Sequence, residues 1–459
     1  MSIRVSVLYL LVVGLALYAW KDWFKSLCGL IVLMAIIEHG DMPRAMFGIP
    51  GMNAWNFLFG MILLAWLANR RREGLTWDLP PRLNLLLLLY LGVLLVGAAR
   101  AAFDPSHLEG HGVKGVIFEE VLNTVKWVLP ALLLFDGCRT RNQVLLALSC
   151  LLLMYFLMAI QVVRSMPLEA VTSESQLINY SRMKLGRRVG YNACDLSAML
   201  AGACWGLIAV LPLIRRKRYW PPIFMAAGVV ALGQALTGGR AGYLAWGATG
   251  LAMCLLKWRR QLILAPVVVM LLPVIFPGAA NRMLEGFGQT DPTGETTVDE
   301  YAVSGGRLEV WPRVIDTIWE SPLIGHGRLA MRRTGLTLST GAGHPHNLYL
   351  ETLLDNGIAG SLPIFLFWGT IFLYSVRLLR RRNPLYSAVG GLAFALTLAQ
   401  LLAGIGAQHY FPLESTLGVW AAAFLALRVY VEEMRTQTFA VRESAPSVTA
   451  ARVEHVAAV

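Results

Sequence analysis

Charge is what this sequence has least of. Asp, Glu, Lys and Arg make up 15% of its 459 residues and hydrophobic residues 56%, whereas soluble domains carry about a quarter charged residues. That excludes an ordinary water-soluble enzyme. The cysteines are few: Cys28, Cys138, Cys150, Cys194, Cys204 and Cys254, with no CxxC pair. Most lie in or beside apolar runs and read as small core residues, not as a disulfide framework or a zinc site. No HExxH, Walker A, Rossmann fingerprint or Ser-His-Asp signature is present, so nucleotide-driven chemistry is not expected. Lys and Arg outnumber Asp and Glu by 40 to 28, but no zinc or RNA-binding spacing accompanies the excess. No nucleic-acid partner, cofactor or metal is expected.

Long apolar runs are abundant. They cover roughly 5–20, 26–38, 54–68, 83–101, 117–136, 143–163, 194–214, 221–236, 241–257, 261–277, 357–376, 385–406 and 413–430. A run of about 20 such residues crosses the hydrocarbon core as a helix. Continuous runs favour helices over a barrel, whose strands alternate. The first two runs are short, which leaves about twelve crossings. The N-terminal MSIRVSVLYLLVVGLALYAW lacks a small-residue cleavage site and is expected to be retained. The fold class is therefore an all-α polytopic membrane protein of about 12 transmembrane helices. Its expected parts are an N-terminal bundle (1–277), a large loop with short amphipathic helices (278–356), C-terminal spans (357–433) and a disordered tail (434–459). No internal repeat is evident.

Five basic clusters, NRRRE at 69–73, RTR at 139–141, RRKR at 215–218, KWRR at 257–260 and RLLRRR at 377–382, all fall on one side of these spans. Cytoplasmic loops hold the Lys/Arg excess, so the 278–356 loop, with 102–116 and 164–193, faces outward. In a bacterium this is the periplasmic face of the inner membrane. Within the large loop, Trp311, Ile315, Ile318 and Trp319 recur at helical spacing, predicting a helix lying against the bundle. The stretch GQTDPTGETTVDEYAVSGG reads as a mobile loop.

Outward-facing arginines break the positive-inside trend. Arg240 in TGGRAGY and Arg307 in SGGRLEVW each follow Gly-Gly, where backbone approaches a ligand closely. A planar fork of donors suits a diphosphate. Arg182, Lys184, Arg187 and Arg188 crowd the 164–193 loop, and the 102–116 loop on the same face holds His107, Glu109 and His111. Arg332 and Arg333 read as snorkelling to headgroups. In GHPHNLYLETLLDNG, His344 and His346 are two apart, which is not the i, i+4 spacing of a helical zinc pair. An imidazole titrating near pH 6.5 suits proton removal, Pro345 is expected to hold the two rings apart, and Asn347 to cap the following helix. Glu351 either orients His346 or favours the helix start.

The stretches TGGRAGYLAWGATG, SGGRLEVWPRVIDTIWESPLIGHG and GHPHNLYLETLLDNGIAG, with GRRVGYNACDLSAML upstream, are together similar to the consensus of the O-antigen ligase and polymerase superfamily. The resemblance covers roughly 180–360 in detail. It implies a GT-C-like, metal-independent transferase that takes a glycan from undecaprenyl diphosphate at the periplasmic face and passes it to an acceptor hydroxyl. An O-antigen ligase uses the sugar core of lipid A as acceptor. A polymerase uses another lipid-linked glycan, and a protein O-oligosaccharyltransferase a Ser or Thr. Carried over, His346 matches the catalytic His and Arg240 and Arg307 the diphosphate arginines. Arg187, Arg188, His344 and Asn347 fall in the implied substrate site. A transporter or flippase is the reading from another class; it predicts internal repeats and charged or broken helices at mid-membrane.

Overall fold

The computed structural model describes residues 3–49, 51–103, 112–172, 177–287, 289–290 and 296–444, without the side chains of 289–290, 296–297 and 436–444. His107, Glu109, His111, part of the GQTDPTGETT stretch and the end of the tail lie outside the described residues. Among the described residues the regular structure is helical apart from a two-residue antiparallel ladder joining Gln289–Thr290 to Thr296–Thr297.

The principal helices are α1 (Ile3–Tyr18), α2 (Trp23–Ile37), α3 (Ala54–Asn69), α4 (Pro81–Phe103), α5 (Leu129–Gly137), α6 (Arg141–Ser165), α7 (Ala193–Ala209), α8 (Trp220–Leu236), α9 (Arg240–Leu256), α10 (Ala265–Ile275), α11 (Pro277–Leu284), α12 (Arg307–Glu320), α13 (Leu348–Leu379), α14 (Pro384–Ala403) and α15 (Leu417–Ser444). Short polar caps set their starts. The side chains of Asp22, Asn53, Thr140, Asn192 and Asn383 each accept an amide from the first turn of the helix they precede, pairing donors that a helix leaves orphaned.

Among the described residues, seven helices are long and apolar enough to cross a membrane, or eight if the bent pair α10–α11 is one span; α1, α2 and α3 are apolar but shorter. Two runs differ from the expected continuous helices. Residues 117–136 break into a π-turn at Ile117–Leu122, a short turn of helix at Asn123–Val125 and α5, which Pro130 starts afresh. Residues 261–277 bend by 99° between α10 and α11, where Pro273 and Pro277 withhold backbone donors.

The centre of the bundle is α7, packed against α8, α9 and α14. Its run of Ala, Gly and Ser lets neighbours approach closely: a Cβ on Gly202 would lie 2.7 Å from the Leu396 Cα on α14. A second apolar cluster joins α4, α5, α13 and α15 around Tyr90, Phe135, Phe367, Trp420 and Phe424.

All five basic clusters gather at one end. Arg70 and Arg139 share Asp136 at 2.8 and 3.1 Å, and Arg139, Arg428 and Arg435 share Asp78. Arg141 and Arg215 line one cavity with Asn383 and Glu432. Lys257 donates to the Arg381 carbonyl at 2.8 Å, and Arg381 pairs with Glu433. The helix α13 runs from this end to the HPHN segment at the other.

Candidate functional site

At that other end, α13 is two helices in series. Gly357 breaks it with φ 59° and ψ −170°, a backbone shape only glycine adopts readily. The break is where the PLIGHG turn docks. The amides of His326 and Gly327 donate to the carbonyls of Leu354 and Asp355, and those of Ile358 and Ala359 to Pro322 and Leu323. Two of the sequence motifs are thus one interlocked unit. Beneath it, the buried Arg328 meets Glu120 at 2.6 Å and Asp355 at 3.1 Å, and Tyr410 donates to Asp355 at 2.9 Å.

The HPHN segment is fixed by its surroundings. Asn347 caps α13 as expected, accepting from the Tyr349 and Leu350 amides at 3.0 and 3.1 Å. Trp311 of α12 donates to the Pro345 carbonyl at 2.9 Å. Three consecutive carbonyls of the turn after α14 are then read by three groups: Gly404 by the Leu348 amide, Ile405 by the Asn347 side chain and Gly406 by Arg307. One short turn therefore aligns Arg307 with the histidines.

Pro345 does not hold the rings apart. His346 adopts φ 51°, a left-handed conformation uncommon outside glycine, and this turns its ring back to within 3.9 Å of the His344 ring, centroid to centroid. The His346 amide donates to His344 Nδ1 at 3.2 Å. A neutral His344 accepting there carries its proton on Nε2. Burial, then His409 and His346, push the His344 pKa down to about 3. The His346 pKa is lowered by burial first and then by Arg307 and His409, even though the side chain reaches the surface. Both rings are neutral at pH 7.

Glu351 does not orient His346. Its carboxylate holds His409 Nδ1 at 2.8 and 3.0 Å, and the His409 ring lies 4.5 Å from that of His344. Burial works against charge on His409, but Glu351 outweighs it and raises the pKa. Sequence reasoning missed His409; its one signal was the polar QHY interruption between two apolar runs.

Arg240 and Arg307 do come together. Gly305, at φ 62°, lies between them: a Cβ there would be 3.4 Å from Arg307 Nη1 and 3.6 Å from Arg240 Nη2. Two further arginines, Arg182 and Arg282, approach from the Gly238 side, Arg282 Nε donating to the Gly238 carbonyl at 3.4 Å. Arg282 pairs with Glu285. Among the described residues, Arg182, Arg240 and Arg307 have no carboxylate within ion-pair distance, and the buried Arg307 Nε has no partner at all. Burial, with Arg240 and Arg182 adding to it, lowers the Arg307 pKa. Guanidinium groups without a carboxylate partner have the chemistry to receive an anion. Arg188 points elsewhere, and Arg187 precedes it in the chain. Both are exposed, and Arg188 donates to the Ser165 carbonyl and lines a separate groove with Arg4, His39 and Arg164.

The amphipathic α12 buries Val314 and Thr317, not the Trp319 face, which is 72% exposed. The bent helix α10 buries none of its side chains. Among the described residues, no group of three or more His, Cys, Asp or Glu is placed to hold a metal ion.

In comparison with known protein families, residues 225–365 match the family described as O-antigen ligase. That segment contains Arg240, Arg282, Arg307, His344, His346 and Asn347, and excludes Arg182 and His409. No curated protein matches the chain.

Proposed function

We propose, from the match of residues 225–365 to the O-antigen ligase family, that this chain is a glycosyltransferase acting at the periplasmic face of the bacterial inner membrane. It moves O-antigen glycan from undecaprenyl diphosphate to a hydroxyl of the lipid A-core oligosaccharide. The observation that carries this reading is the 404–406 turn, which sets Arg307, an arginine without a carboxylate partner among the described residues, in line with neutral imidazoles.

Chemically the two halves are complementary. As the sugar–phosphate bond breaks, the leaving diphosphate gains charge. Arg240 and Arg307, with Arg182 and Arg282 beside them, stabilise that charge more in the transition state than before it. The acceptor hydroxyl loses its proton to His346, which is neutral and able to take it. The exposed apolar surface of α10 and of the outer face of α12 supports entry of a lipid-borne donor from the bilayer.

The test is a purified reaction with lipid-linked donor and core oligosaccharide. His346→Ala is expected to lose transfer by about a hundred- to ten-thousand-fold, the usual cost of losing a general base, while donor binding persists. His344→Ala is expected to lose less. Normal transfer by His346→Ala refutes the assignment. Transfer to a second lipid-linked glycan in place of the core identifies a polymerase.

A further inference from the structure

We infer that the polar cavity bounded by His344 and His409 binds the sugar that carries the acceptor hydroxyl, through Glu38, Lys126 and Glu414. The inference rests on the glycan-transfer reading above and adds the subsite and its chemistry.

The cavity measures about 620 Å³, within the ~300–1,000 Å³ range of small-molecule sites. Its floor is settled: Glu120 and Asp355 are held by Arg328, Glu351 by His409. Its walls are not. Glu38, Arg44, Lys126 and Glu414 line it, and among the described residues none of their side chains makes a hydrogen bond or an ion pair within 4.0 Å. They are held in place without being satisfied. Lys126 rests over the rings of Trp127 and Trp55 at 4.7 and 5.3 Å, and Glu38 ends α2 as its C-terminal cap residue.

Partly buried charges that face one another beyond bonding distance leave donors and acceptors open to a guest. The guest must both donate and accept, because carboxylates only accept and ammonium groups only donate. A sugar has hydroxyls that do both. A diphosphate does not suit this cavity, since carboxylates outnumber Lys and Arg over its lining as a whole, floor included. A lipid chain does not suit it either, since the unpartnered walls are charged. The placement agrees with the chemistry: the cavity is lined by His344 and His409, and Arg240, Arg307 and His346 stand outside its lining. Donor anion and acceptor sugar are thereby received by separate sets of residues that meet at the imidazoles.

The experiment uses the full-length protein in nanodiscs, lipid-linked donor, and core oligosaccharide released from lipid A by mild acid. Glu38→Gln, Lys126→Met and Glu414→Gln are each expected to raise the KM for the oligosaccharide about tenfold, the scale of one hydrogen bond to a charged group, with the donor KM unchanged. In the wild type, the oligosaccharide alone is expected to protect Lys126 from an amine-acylating reagent, read by mass spectrometry. An unprotected Lys126 in a protein that transfers glycan to this oligosaccharide overturns the inference and leaves the proposed function standing. So does an unchanged acceptor KM in all three variants, or a donor KM that rises in parallel. A wild-type protein that transfers nothing to it overturns the acceptor assignment itself.

Discussion

Replacing Asn347 by Ala isolates the alignment of the site from its chemistry, because Asn347 touches no substrate in the proposed mechanism and carries no proton. Its side chain makes three hydrogen bonds, two accepted from the Tyr349 and Leu350 amides and one donated to the Ile405 carbonyl at 3.2 Å. A lost N-cap costs about 1 kcal/mol, and the bond to Ile405 contributes about 1 kcal/mol more. Their sum, about 2 kcal/mol, equals the typical ~1–3 kcal/mol strain of a non-glycine residue in a left-handed conformation, which is the conformation of His346. The variant therefore releases His346 without removing it. At about 1.4 kcal/mol per factor of ten, kcat is expected to fall about ten- to thirtyfold, with the donor KM within about twofold. Asn347→Asp keeps both accepted bonds and loses only the donated one, so its kcat is expected to fall about fivefold. The assay is initial-rate glycan transfer in nanodiscs at saturating acceptor, with thermal unfolding of each variant measured alongside. Wild-type kcat in Asn347→Ala, or a change confined to the donor KM, refutes the argument that the turn holds His346 in its working conformation.

Arg240→Ala and Arg307→Ala are each expected to raise the donor KM and lower kcat, and Lys at either position to restore only part, because it supplies charge without a two-pronged fork; full activity in both alanine variants removes them from the site. The pH dependence follows from the sign of the histidine shifts. The His346 pKa is lowered from 6.5, so the base stays unprotonated as pH falls through 6.5 and the acid limb of kcat lies below that value; a limb at or above 6.5 contradicts the geometry. The same shift acts on stability in the opposite sense to His409: below pH 6.5 the unfolded chain protonates His344 and His346 first and is favoured, whereas the raised His409 stabilises the fold below 6.5 and ceases to as pH rises through its folded pKa.

Local signals carried far. The helix cap at Asn347 was legible because an Asn before an apolar run has one common role. The existence of α12 was legible from its spacing, though which stripe faces inward was not, since Ile315 and Trp319 turned out exposed and Val314 buried. Features set by distant parts of the chain were silent. His409 lies 58 residues from the Glu351 that charges it, and Arg282 reaches the cluster only because α10 and α11 bend by 99°. The left-handed turn at His346 lies between bonds from Trp311 to Pro345, from Asn347 to Ile405 and from Leu348 to Gly404, and no window of sequence around HPHN contains Trp311 or the 404–405 carbonyls.

The turn at Gly404–Gly406 engages its surroundings by position more than by side chain. Its carbonyls are taken in order by Leu348, Asn347 and Arg307, and a Cβ on Gly406 would lie 3.1 Å from the Cβ of Ala241, the residue after Arg240. Such a contact works like the pins of a connector: what matters is the count. Exchanging Ile405 for another apolar residue leaves every pin seated, while inserting or deleting one residue shifts each carbonyl to the wrong receiver. Arg307 and the histidines would then be out of step by one residue's rise, even though every group with a chemical role is still present and unaltered. Length in this turn is thus under tighter constraint than identity, and a chain can lose the alignment of its site through a change that removes none of its functional residues.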